Sequence, residues 1–365
     1  MTTEIKQETI RVTNLEPGVV ISRPKQMYAW PGMIKISKEE ILVAASERKN
    51  HLCPYGREVV VRSTDAGKSW TLPEEVYNSE LDDRDSNLAI MPDGTVILSW
   101  FSSTAFENYW KERGKRVTDK MRDEVIGSWM SCSKDFGETW ESPLRMPVGV
   151  HISPNVISDG SLLVIGEEKG GEAGLSIFKS FDQGKNWQKE SMIYCEKFYQ
   201  EEYKREMLIL NENHVLETSP GNLIAMFRSN PSEDGSLFQA FSSDYGKTWS
   251  KPKKTAVWGY PPHLLKLSNG VIMCSYSHRR EPFSIRAVFS YDNGLSWDAD
   301  NIQTLYQWED EPDMGYPTSI ELSPGEIMTV FYCSRRDANH PNQTQRMDGN
   351  SPEGIVSVKF KLENY

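Results

Sequence analysis

The chain has 365 residues, among them eleven Trp, fifteen Tyr and thirteen Phe, enough aromatic material for one large core or two average ones. Its formal charge of −11 argues against a nucleic-acid partner and against an anionic membrane surface. No stretch approaches the ~20 apolar residues of a membrane span, and Met1 to Lys6 has no apolar signal segment. A cytoplasmic protein is therefore expected.

In chain order, the first apolar segment is Thr9 to Val12. A strand–turn–strand pattern without a turn glycine follows from Met33 to Ala45. Five further copies carry one: Asn87 to Trp100, Asn155 to Val164, His214 to Met226, His263 to Met273 and Ser319 to Val330. Asp-Gly, Asn-Gly and Pro-Gly between apolar runs predict hairpin turns. Between these units stands a second repeat, Ser-x-Asp-x-Gly-x-x-Trp. It occurs at Ser63–Trp70, Ser133–Trp140, Ser180–Trp187, Ser242–Trp249 and Ser290–Trp297. The Asp can accept bonds from backbone N–H groups and close a tight turn. The Gly takes positive φ without steric cost, and the Trp can plug the gap beneath. Fixed self-similarity of this kind signals a repeat architecture.

Six hairpins, five of them followed by the Asp turn, predict an all-β, six-bladed propeller with four-stranded antiparallel blades, in one domain spanning residues 1–365. The blade limits are 25–80, 81–148, 149–195, 205–257, 258–305 and 310–365. In the last blade Gly354 to Leu362 is the predicted third strand. Thr9 to Val12 is predicted to close the ring as its outer strand, removing an open edge. Two charged insertions break the period. Residues 105–124 read as helical and as a wall of the mouth, and 196–206 as a shorter loop. The five cysteines lack metal-ligand spacing; Cys132, Cys274 and Cys333 fall in predicted strands and read as buried thiols.

The repeats place chemistry. Nine residues before the turn glycines Gly94, Gly160, Gly221, Gly270 and Gly325 lie Asp85, His151, Glu212, Pro261 and Tyr316. These are equivalent positions at the start of the innermost strands, which converge around the axis on one face. Two residues further on come Asn87, Ser153, His214, His263 and Thr318, on the same strand face.

The Ser-x-Asp-x-Gly-x-x-Trp motif is the Asp-box, and the chain resembles the sialidase (neuraminidase) superfamily of six-bladed propellers. Within that resemblance the Asp-box is a folding motif, away from the active site. The resemblance implies a Tyr nucleophile activated by a Glu, unlike the two-carboxylate pattern of most glycosidases. Gly315-Tyr-Pro-Thr-Ser-Ile-Glu-Leu matches the tyrosine segment, Glu212-Asn-His-Val-Leu-Glu the glutamate segment, and Ala225-Met-Phe-Arg228 the partner strand that ends in Arg. It also implies arginines that pair with a substrate carboxylate. Arg228 is one and Arg286, six residues before Asp292, another; Arg84 and Arg48 are counted with them, and His151, His214 and His263 are assigned hydrogen bonds to substrate. The chain departs from the family twice. Ala29 stands where the first arginine is expected, and Cys53 where the acid/base Asp is expected. Asp85 is the expected replacement acid, with His51 the other option.

The expected function is an exo-acting glycoside hydrolase that removes a terminal, acidic sugar, with carbohydrate as partner and no cofactor or metal. The alternatives are a non-catalytic carbohydrate-binding propeller, or a His-based or metal-dependent enzyme built on His151, His214 and His263.

Overall fold

A computed structural model describes residues 9–23, 26–149, 154–168, 174–195, 197–200, 205–208, 210–229, 235–308, 313–334, 336–337, 340–344 and 354–365. Six four-stranded antiparallel sheets form the blades of a propeller. The first runs Met27–Lys35, Ile41–Arg48, Arg57–Ser63, Glu74–Tyr77, from the axis outward. The second is Asp82–Ile90, Val96–Ser103, Gly127–Ser133, Leu144–Arg145, and the third Asn155–Val156, Leu162–Gly166, Leu175–Ser180, Gln188–Ile193. The fourth is Leu210–Ser219, Asn222–Ser229, Ser236–Ser242, Lys253–Trp258, and the fifth Pro262–Lys266, Ile272–His278, Ser284–Ser290, Gln303–Gln307. The sixth takes Met314–Ser323, Glu326–Cys333 and Gly354–Glu363, and its outer strand is Arg11–Ile21 from the chain's beginning.

The expected closure is therefore present, and longer than the sequence suggested: Arg11 pairs Glu363, and the ladder continues to Ile21 opposite Ile355. Residues 14–17 are all exposed and break the alternation, which hides the second half of this strand.

Each Asp-box joins the third and fourth strands of its blade and builds the same small network. In the fifth blade the Ser290 hydroxyl donates to Asp292 Oδ1 at 2.8 Å, and the Gly294 N–H donates to Ser290 Oγ at 2.8 Å. The Ser296 N–H donates to Asp292 Oδ1 at 2.9 Å. The Trp packs into the interface with the preceding blade. Trp140 joins the cluster containing Leu42 and Leu98, Trp187 that of Met130 and Val164, and Trp297 that of Ile224 and Val288. Large rings at these seams exclude water where two twisted sheets diverge.

The sixth blade has no Asp-box, and its seam with the fifth is filled differently. Ile10 is 1% exposed within the cluster of Phe289, Phe331 and Phe360. Its N–H donates to the Tyr291 hydroxyl at 3.0 Å, and the Val12 N–H donates to Gln303 Oε1 at 3.1 Å. The chain leading into the strand that closes the ring thus also helps seal the seam that no Asp-box tryptophan fills.

The insertion holds a 3-10 turn, Ala105–Asn108, and two short helices, Lys111–Gly114 and Asp119–Val125. Thr118 caps the second by accepting from the Met121 N–H at 3.2 Å. The second insertion contains a two-stranded ribbon, Lys197–Gln200 with Arg205–Leu208. All five cysteines are free and buried. Among the described residues no helix is long and apolar enough to cross a membrane.

Candidate active site

Four innermost strands start with the same irregularity. Their ladders shift register between Ala29 and Gly32, Arg84 and Asn87, Asn211 and Asn213, and Gly315 and Thr318. In each bulge one non-glycine residue takes positive φ: Trp30 at 51°, Asp85 at 64°, Glu212 at 39° and Tyr316 at 52°. Such backbone costs of order 1–3 kcal/mol and clusters at functional sites. A bulge re-aims the side chain it carries, here at the four strand starts.

The aim is exact enough for chemistry between the fourth and sixth blades. The Tyr316 hydroxyl donates to Glu212 Oε1 at 2.7 Å. Arg228 Nη1 donates to both oxygens of Glu212, at 2.8 and 2.7 Å. The Arg228 guanidinium lies 4.6 Å from the centre of the Tyr260 ring. Burial works against the Arg228 charge, but Glu212 and the neighbouring phenols more than offset it and raise its pKa. Burial is also the main cause that pushes the Tyr316 hydroxyl well above the usual phenol range; Glu212 and Asp85 add to it, and Arg228 and Arg279 pull the other way. The phenol is therefore neutral at neutral pH.

Arg279 was not singled out in the sequence. It follows the second strand of the fifth blade and lies 5.9 Å from the Tyr316 ring and 5.7 Å from that of Tyr260. Its Nε donates to the Met314 carbonyl at 2.8 Å. Arg286 sits on the third strand of the same blade, where its Nε donates to Ser284 Oγ at 2.9 Å. The structure brings Arg279, rather than Arg286, against Tyr316. Arg279-Arg280 after Tyr276-Ser-His was the available signal, because it directly follows the fifth blade's second strand, and Arg228 lies near the end of the fourth blade's.

Trp30 occupies the equivalent position in the first blade, beside Ala29. The Arg84 and Arg48 guanidinium groups lie 4.3 and 4.6 Å from its ring centre. Tyr316 and Tyr332 meet it edge-on at 6.4 and 6.0 Å. The missing turn glycine hid this residue from the nine-residue count; the recurrence of aromatic-Pro in Trp30-Pro31 and Tyr316-Pro317 could have revealed it. Arg84 lies 3.7 Å from Asp82 and 3.9 Å from Asp85. Arg48 is fully enclosed: it pairs with Asp82 at 2.7 Å, and donates to the carbonyls of Asn50 and His51 at 2.9 and 3.0 Å. Its place is under the 49–56 loop rather than facing the mouth.

The His214 and His263 rings pack against each other with centres 4.4 Å apart and planes tilted by 46°. They line an axial cavity of about 520 Å³ together with Asn87, Thr318 and the apolar residues farther down the inner strands. Each Nδ1 accepts a backbone N–H of the next blade, from Leu264 at 3.3 Å and from Ser319 at 3.4 Å. Burial lowers both pKa values, that of His214 to about 4, so the pair is neutral at neutral pH. His151 and Ser153 lie outside the described residues. Among the described residues no group of three or more His, Cys, Asp or Glu side chains is arranged to hold a metal ion.

Fold and pocket together define a sialidase-like six-bladed propeller with a Tyr–Glu–Arg group at its mouth. The profile of the BNR repeat-like domain family matches residues 58–329, and the chain belongs to that family. No curated protein is significantly similar in sequence. Among solved structures, a protein of unknown function from Dyadobacter fermentans superposes with a TM-score of 0.76 at 20% identity, over 97% of this chain and 99% of that one. The NanB sialidase from Streptococcus pneumoniae gives 0.65 at 13% identity, over 92% of this chain and 68% of that one. The intramolecular trans-sialidase from Ruminococcus gnavus gives 0.60 at 16% identity, over 92% and 94%. At these identities the likeness is one of fold.

Proposed function

We propose that the protein is a retaining, exo-acting glycosidase for a terminal acidic sugar, with Tyr316 as nucleophile and Glu212 as its base. The observation that carries this is the 2.7 Å hydrogen bond from the Tyr316 hydroxyl to Glu212, made by two residues held in strained backbone. A neutral phenol approaches an anomeric carbon without repulsion from a nearby substrate carboxylate. As its oxygen bonds to carbon, Glu212 takes the proton, and Arg228, in contact with both carboxylate oxygens, holds the carboxylate in position. Arg228 and Arg279 form the basic side of the mouth, which supports an anionic group on the sugar. Asp85, at the equivalent bulge of the second blade, supplies negative charge on the other side, where positive charge develops on the ring during bond cleavage.

The experiment is a panel of acidic and neutral aryl glycosides with wild type and Tyr316→Phe, followed by trapping with a fluorinated analogue of whichever sugar is turned over. Hydrolysis lost in the variant and a covalent sugar adduct on Tyr316 by peptide mass spectrometry are expected. Undiminished hydrolysis in Tyr316→Phe, or an adduct on another residue, refutes the assignment.

A further inference from the structure

The Tyr316–Glu212 chemistry leaves a second pair unused. His51 lies on the 49–56 loop of the first blade, and Asp313 just before the inner strand of the sixth. His51 Nδ1 stands 3.4 Å from each oxygen of Asp313. We propose that His51, oriented by Asp313, is the acid/base group of this site: Nε2 delivers a proton to the glycosidic oxygen and then takes one from the attacking water. This inference rests on the glycosidase reading of Tyr316 and Glu212.

Four observations converge on it. The first is the carboxylate. Asp313 is buried, and the Tyr332 hydroxyl donates to its Oδ1 at 2.8 Å. Burial opposes its ionisation, but His51, Arg279 and the Tyr332 bond outweigh burial and hold it at about 2. It is a fixed negative charge beside the imidazole, the arrangement that selects the ring's orientation and tautomer.

The second is the loop. Arg48 binds the carbonyls of Asn50 and His51 from below, and Trp110 Nε1 of the helical insertion donates to the Leu52 carbonyl at 2.9 Å. Tyr55 packs against the same tryptophan, ring centres 5.7 Å apart. The insertion thus braces the loop that presents His51. A catalytic group on a loop needs such support to hold its geometry.

The third is place. The His51 ring stands edge-on to Trp30 at 5.1 Å, and Tyr316 meets the same indole at 6.4 Å. Tyr332 bridges the two groups, bonding Asp313 and lying 6.1 Å from the Tyr316 ring. His51 and the nucleophile therefore flank one aromatic wall.

The fourth is access. The His51 side chain is 31% exposed. Asp85, the acid expected from the sequence, is 4% exposed, and Cys53 is fully buried. A group that protonates a leaving oxygen must be open to it, and of the three only His51 has substantial exposure. The carboxyl function absent at Cys53 is replaced two residues earlier on the same loop.

The steps balance. In the first, Tyr316 oxygen bonds to the anomeric carbon while Glu212 takes the phenol proton; the glycosidic C–O bond breaks, and its electron pair takes the proton of the His51 imidazolium, releasing the alcohol. In the second, neutral His51 takes a proton from water, whose oxygen bonds to the anomeric carbon. The Tyr316–carbon bond breaks and Glu212 returns the proton to the phenol oxygen. The sum is glycoside plus water giving sugar plus alcohol.

The test compares an alkyl and a dinitrophenyl glycoside of one accepted sugar in His51→Ala, Asp313→Asn, the double variant and Asp85→Asn. In His51→Ala kcat/KM for the alkyl glycoside should fall by at least ~10²-fold, the low end for a general acid, and for the dinitrophenyl glycoside by less than ~10-fold, because that leaving group needs no proton. Asp313, a positioning residue, should give the same pattern in weaker form, and the double variant should be no worse than His51→Ala. Asp85→Asn should keep the wild-type ratio between the two substrates. His51→Gln, which keeps bulk but cannot carry a proton, repeats the test should His51→Ala fold poorly. An equal fall on both substrates in the His51 variants, or leaving-group dependence in Asp85→Asn instead, overturns the role of His51 while Tyr316→Phe still abolishes turnover. No turnover of any glycoside by wild type overturns this proposal and the reading beneath it.

Discussion

Tyr316 and Glu212, 104 positions apart in the chain, meet through a 2.7 Å hydrogen bond because each begins an innermost strand in left-handed backbone. The bulges turn both away from their ladders, and the ring sets their height. Misplacement by ~1 Å can cost ~10²-fold in rate, so under the proposed mechanism the bulges would matter as much as the side chains they carry.

Removing the proposed nucleophile and its proposed base should separate chemistry from stability. Tyr316→Phe should lower kcat/KM by at least ~10²-fold while costing only about 1 kcal/mol of stability, the net value of one hydrogen bond. Glu212→Gln should lower activity similarly but lower the melting temperature more, because the buried Arg228 charge loses its counter-ion. Equal melting temperatures for the two variants would contradict the Arg228–Glu212 pairing as described.

Charge recognition should reside at Arg279. Arg279→Met removes one guanidinium from the basic side of the mouth without touching the Tyr316–Glu212 bond. KM for an acidic aryl glycoside should rise by about 10-fold or more, as loss of a charged hydrogen bond of ~1.5–3 kcal/mol implies. Neutral glycosides should be little affected. A parallel loss on both kinds of substrate would assign Arg279 to structure instead.

Ring closure should be sensitive to one buried side chain. Ile10→Ala opens the seam between the fifth and sixth blades, and large-to-small changes of this type cost about 2–5 kcal/mol. Tyr291→Phe removes only the bond from the Ile10 N–H, about 1 kcal/mol. Denaturant titrations check both. An Ile10→Ala midpoint equal to wild type would mean that the N-terminal strand does not hold the ring shut.

Buried acids should make the fold less stable in base. Glu58 is fully buried between Ser46, whose hydroxyl donates to it at 3.0 Å, and Ser86. Burial pushes it up from 4.5 to about 8, and Asp83 nearby is raised from 3.8 to about 7 for the same reason. A carboxyl with a raised folded-state pKa binds its proton more tightly in the folded chain. Its contribution is therefore complete below the unfolded value, near 4.5 for Glu58, and is lost as pH rises through about 8. The melting temperature should decline across that window, and Glu58→Gln should flatten the decline and exceed wild type at its alkaline end. A wild-type melting temperature that rises from pH 5 to 8 would contradict the assignment.

The architecture was legible because it is written in local chemistry. Asp-Gly turns, Asp-boxes and period-two runs act over a few residues, so their count predicts six blades and leaves one outer strand to be supplied by the chain's beginning. Equivalence between repeats then brings Glu212 and Tyr316 to one face, since positions equally far from a hairpin turn sit at equal height. Where a repeat loses its marker the inference stops. Trp30 stayed hidden because the first hairpin has no turn glycine, and Arg11–Ile21 looked shorter than it is because its middle is exposed.

What the sequence by itself determined, then, is the propeller, its blade limits and the convergence of strand starts, all consequences of periodic backbone preference. Only the tertiary structure decided which side chains share a pocket. It sends Arg48 under a loop and stacks Arg84 on Trp30. It brings Arg279, rather than Arg286, to Tyr316, and sets His51 against Asp313 across the seam between the first and sixth blades. Those choices depend on side-chain directions at strand ends and on loops packed against other loops, where charge burial and ring contacts between distant segments outweigh any local rule.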